Sequence, residues 1–154
     1  MNDLHVHLRN HWAAAWGGVD LAERIARRHR DGGVGPDLAE IASEIRQDRD
    51  SLREVMRAVG ARPGVVLPVL ARVGERAGRL KLNGHLVTRS PVSDVLELEG
   101  LRGAVAAKAA GWDTLLAFSE REPRLPRELL VELRERADGQ LSSLVRIHQV
   151  VASA

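Results

Sequence analysis

Apolar residues recur at Leu4, Leu8, Trp12, Ala15, Val19, Ala22 and Ala26, in steps of three and four, and this spacing predicts a helix over 4–30. Asp31-Gly32-Gly33 breaks it. Pro36 suits a first helical turn, and Leu38, Ile41, Ile45, Leu52, Val55 and Val59 carry a second stripe over 36–59, stopped by Gly60. Another helix is predicted over 91–120, opened by Ser90-Pro91 and striped by Val95, Leu98, Leu101, Val105, Trp112 and Leu115. Alanines at 104, 106, 107, 109 and 110, with Gly103 and Gly111, make its middle thin, so a neighbour can approach closely. The last helix, over 126–152, presents Leu130, Leu133, Ala137, Leu144, Ile147 and Val151. Four helices of about 25 residues, each roughly 37 Å long, form an elongated bundle.

Between the second and third long helices lie roughly 30 residues, far more than the 2–8 that join antiparallel neighbours. Pro63 and Pro68 bracket a short helical run over 64–77, and Gly74 and Gly78 end it. The expectation is therefore an all-α four-helix bundle, a single domain over 1–154, with a long crossover containing a short helix between helices 2 and 3. Gly78 to Thr88, with Asn83-Gly84 at its centre, leaves a two-strand hairpin as the local alternative.

The stripes have gaps. The second helix skips position 48, occupied by Asp48; the third has Lys108 at the corresponding point, and the last has Gln140. All three fall near mid-helix. A polar core of Asp48, Lys108 and Gln140 must be internally paired, because an unpaired buried charge costs several kcal/mol. Such a layer either fixes register, as polar core positions do in coiled coils, or belongs to a binding site in the bundle.

Composition narrows the function classes. The chain has 154 residues and no cysteine, which excludes disulfides and thiolate metal sites and accords with a cytoplasmic protein. Apolar runs such as Val65 to Val73 are far shorter than the roughly 20 residues of a membrane span, and no export signal is visible. The 23 basic and 21 acidic residues alternate in sign, and only Trp12, Trp16, Trp112 and Phe118 are aromatic, so neither a basic patch nor a base-stacking set points to nucleic acid.

Motifs for catalysis are not apparent. No serine lies in a Gly-x-Ser-x-Gly elbow, and Gly32-Gly33-Val34-Gly35 lacks the lysine of a phosphate loop. His7 and His11 have the i, i+4 spacing of paired metal ligands, with His5 nearby, but two ligands without an adjacent glutamate read first as surface or interface residues. His29 and His148 lie toward helix ends, where a cationic side chain suits the dipole. Arg24, Arg27, Arg28 and Arg30 read as a solvated helix end, or else as a site for an anion or acidic partner.

The inferred helix order, together with Gly78-Arg79-Leu80-Lys81-Leu82-Asn83-Gly84, Arg89-Ser90-Pro91 and Leu96-Glu97-Leu98-Glu99, resembles a ferritin-like family of high-GC, actinobacterial-type bacteria. The resemblance implies metal-ligand positions at Asp20 or Glu23, Glu44 or Asp48, Glu99, and Asp138. The sequence departs from that pattern, since no glutamate is followed three residues later by histidine. The leading expectation is thus a non-enzymatic, metal-free bundle acting in protein association as a homodimer, with Trp12 and Trp16 covering a partner surface. A degenerate iron or manganese carboxylate protein is the alternative. A carrier of a small apolar ligand, with the Ala/Gly face of the third helix as a cavity wall, is the third.

Overall fold

The computed structural model describes residues 3–64 and 91–154. Among them are four helices and no strand: α1 (Asp3–His29), α2 (Gly35–Ala58), α3 (Pro91–Ser119) and α4 (Arg127–Ala152). Each boundary lies within one residue of the position the periodicity predicts, the ordinary uncertainty of a helix end. The short helix expected over 64–77, the crossover and the hairpin alternative fall on 65–90, outside the described residues.

Glycine is required at two ends. A side chain at Gly35 would place Cβ 2.6 Å from the His29 carbonyl oxygen and 2.7 Å from that of Arg30, so the tight turn into α2 admits none. After α2, Gly60 takes φ +71°. Its N–H donates to the Arg57 oxygen and that of Ala61 to Met56, closing the helix in a left-handed cap that glycine adopts without steric cost.

Side-chain contacts between helices fix their directions. His5 and Val59 meet at one end of α1 and α2, and Glu23 and Arg46 meet further along, so these helices are antiparallel. Arg134 reaches Asp113, and His148 lies 3.8 Å from Glu99, which makes α3 and α4 antiparallel as well. Late in α1, Arg28 bonds Asp94 and Glu97 at the start of α3, whereas His7 approaches the Gly111 carbonyl. Hence α2 and α3 run in the same direction on opposite corners, and the end of α2 and the start of α3 lie at opposite ends of the bundle. Arg28 thereby satisfies carboxylates of its own chain, and Arg27 pairs with Glu23, so this part of the arginine cluster is not a vacant anion site.

The apolar core is in two blocks. One gathers Leu8, Trp12, Leu52, Met56, Trp112, Leu115, Leu130 and Leu133; the other gathers Val19, Ile25, Leu38, Ile41, Leu98, Leu101, Leu144 and Ile147. Burying each large aliphatic side chain contributes roughly 1.5–3 kcal/mol. At the level where the stripes are interrupted, a polar layer crosses the bundle between them.

Candidate functional site

The layer is built from α2, α3 and α4. Asp48 is 1% exposed and Gln140 is 2% exposed, the two polar residues fully buried among those described. Lys108 donates to Asp48 Oδ2 and to Gln140 Oε1. The Gln140 amide donates to Asp48 at 3.1 Å and to Glu44 at 3.0 Å. Arg136 closes the network from α4 with 2.9 Å to Asp48 Oδ1. Two carboxylates and two cations balance, so the layer carries no net formal charge, and pairing offsets part of the cost of taking these groups out of water.

The three residues at the stripe gaps are thus in direct contact. Arg136 and Glu44 complete the layer from the edges of their helices. Arg136 lies four residues before Gln140 and Glu44 four before Asp48, the one-turn spacing that aligns side chains on a helix. Burial holds the Lys108 ammonium below its ordinary pKa, and the Asp48 carboxylate partly offsets that effect.

The remaining carboxylates at the ferritin-like positions are dispersed. Glu23 is bound by Arg46 and Arg27, Asp20 by Arg24, and Asp138 by Arg134, while Glu99 faces His148 at the α3–α4 edge. Among the described residues, no three His, Asp or Glu side chains converge on one metal position. The layer itself presents two cations where a metal site would collect anions, so its residues do not fit an iron or manganese centre.

On its α1 side the layer borders a cavity of about 150 Å³. Ala14 and Gly18 of α1 and Ala104 and Ala107 of α3 form its thin walls, Leu52 and Trp112 lie deeper, and Asp48 and Lys108 border it. The small residues that let α1 and α3 approach leave this space unfilled. A polar groove lies on the far side of the layer, between α2 and α4, edged by Glu40, Glu44, Arg136 and Arg146.

One expectation is corrected by packing. Trp12 is 7% exposed and belongs to the core, whereas Trp16 is 41% exposed and carries the Arg49 guanidinium 4.6 Å from its ring centre. The two indoles therefore do not form one exposed partner surface. His7 and His11 are half-buried. Their rings lie 4.4 Å apart, tilted by 50°, in the α1–α3 seam, and the His11 ring occupies the space that a side chain at Gly111 would need. The missing side chain belongs to a different helix, so spacing along α1 gives no sign of it.

Burial lowers the pKa of both histidines below 6.5, and His7 adds repulsion at His11. The unfolded chain then binds more protons than the folded chain once the pH falls to that range, so stability is full above pH 6.5 and declines as the pH falls through it. Urea midpoints measured on either side of that pH are expected to drop on acidification, and the His7→Gln/His11→Gln protein to lose much of that dependence.

No family model, curated protein or solved structure matches the chain.

Proposed function

We propose that this protein is a non-enzymatic, metal-free helical bundle that carries a small apolar molecule between α1 and α3. The supporting observation is the cavity beside the polar layer. Its volume of about 150 Å³ equals that of an engineered apolar cavity that admits benzene, so a single ring or a short branched chain matches it in size. Convergent polar groups at one side of an otherwise apolar pocket are the usual composition of a small-molecule site. The helix directions, with α2 and α3 parallel on opposite corners, support a ferritin-like arrangement, and the cysteine-free composition supports residence in the cytoplasm. Among the described residues no helix is long and apolar enough to cross a membrane.

Self-association is the second proposal. Leu96, Gly100, Gly103, Ala107, Ala110 and Ala117 are all exposed on α3, at steps of three, four and seven that place them along one face. A second copy of the chain laid along these small residues would make a homodimer with closely approaching helices.

Native mass spectrometry of protein purified without chelator separates the readings. A small-molecule mass excess, one per chain, is expected; a stoichiometric metal excess would replace the proposal with the di-metal alternative, and an empty dimer would put association first. In Gly18→Leu the excess should disappear. Nothing lies within 4 Å of a Cβ at Gly18, so the new side chain enters free space at the cavity wall, and replacing a mid-helix glycine should leave the fold at least as stable.

A further inference from the structure

We propose that Lys108 captures a small apolar aldehyde, of the size of benzaldehyde, as an imine in the cavity between α1 and α3. This rests on the carrier function proposed above and names its ligand class. The chain has 21 arginines and two lysines, Lys81 and Lys108. Among the described residues arginine pairs with carboxylates between helices at Arg24, Arg28, Arg46, Arg134 and Arg136. Of the two cationic side chains that line the cavity, Arg49 pairs with Asp50 and covers the Trp16 ring, whereas the one in the polar layer is Lys108. For pairing alone the planar guanidinium is the better donor; what the lysine adds is a primary amine able to form a Schiff base with a carbonyl.

The neighbours suit that chemistry. Lys108 already donates to Asp48, whose carboxylate takes one ammonium proton and frees the nitrogen lone pair. That nitrogen adds to the aldehyde carbon and gives a carbinolamine. The carbinolamine oxygen leaves as water with the proton returned from Asp48, and the C=N bond forms as a protonated imine. The lysine ammonium and the aldehyde thus become one iminium and one water, with no oxidant or reductant needed. The product keeps one positive charge against Asp48, and Gln140 remains within reach of the nitrogen. Leu52, Trp112 and Ala104 line the cavity and offer the apolar body its contacts.

The test treats the full chain with benzaldehyde and cyanoborohydride at neutral pH, followed by peptide mass spectrometry, with benzyl alcohol as a ligand of similar shape that has no carbonyl. One benzyl group fixed on Lys108 ahead of Lys81, and suppressed by excess benzyl alcohol, is the expected result. Equal labelling of the two lysines, or an unlabelled Lys108, overturns the proposal. If benzyl alcohol still raises the melting temperature in that case, the imine fails and the carrier function stands; if neither compound binds, both fail. Lys108→Arg, which keeps the charge, should lose the adduct at that position while retaining the melting response to benzyl alcohol.

Discussion

Asp48→Ala is expected to lose about 3–5 kcal/mol of stability, the cost of removing one partner from a buried charge network. The substitution takes away the anion that Lys108 and Arg136 share and a partner of the Gln140 amide. Two cations would then face each other at the centre of the bundle, with Glu44 as the remaining carboxylate of the layer. For a chain of this length a loss of that size lowers the melting temperature by roughly 10 °C, and it is a large share of the usual 5–15 kcal/mol total. Lys108→Met should cost less. Its side chain is 19% exposed, and Asp48 would keep Arg136 at 2.9 Å and Gln140 at 3.1 Å. Urea denaturation of the two variants reads the order directly. If Lys108→Met proves more damaging than Asp48→Ala, the lysine and not the aspartate is the keystone of the layer.

The same layer shows what a single sequence discloses about a bundle. Asp48, Lys108 and Gln140 stand out because a periodic apolar stripe is a strong signal and each breaks one. Spacing gives their depth along the helix, and depth gives their meeting. Arg136 and Glu44 break nothing, since they lie at the stripe edge where charge is ordinary, so their part in the network emerges only when α2 and α4 are set side by side. Trp12 and Trp16 make a similar contrast. One lies on the stripe and the other a turn off it, and treating them as a pair conceals the difference that burial reveals. The cavity belongs to a third category. The small residues of α3 are plain in the sequence, but whether a neighbour closes over them depends on the residues opposite, and Ala14 and Gly18 of α1 are small too.

That shared smallness gives the second large effect. Trp112→Ala is expected to cost about 3–5 kcal/mol, the range for removing a buried indole, and to enlarge the existing cavity. Trp112 is 4% exposed, packs in the core block with Leu8, Met56 and Leu115, and also lines the cavity, so the two voids should merge. An enlarged apolar void binds what it lost. Added indole should therefore restore part of the stability, up to about 2.7 kcal/mol at a hundred times its dissociation constant. Trp112→Phe supplies the contrast. The indole N–H is buried with no hydrogen-bond partner among the described residues, so replacing the ring by phenyl removes an unsatisfied donor along with some volume. That variant should stay close to the parent and gain little from indole. Thermal melts of both proteins with and without indole decide the matter: rescue confined to Trp112→Ala locates the void at this ring, whereas a large loss in Trp112→Ala with no rescue would mean that the helices collapse to fill it, and that the walls of the natural cavity are softer than a carrier requires.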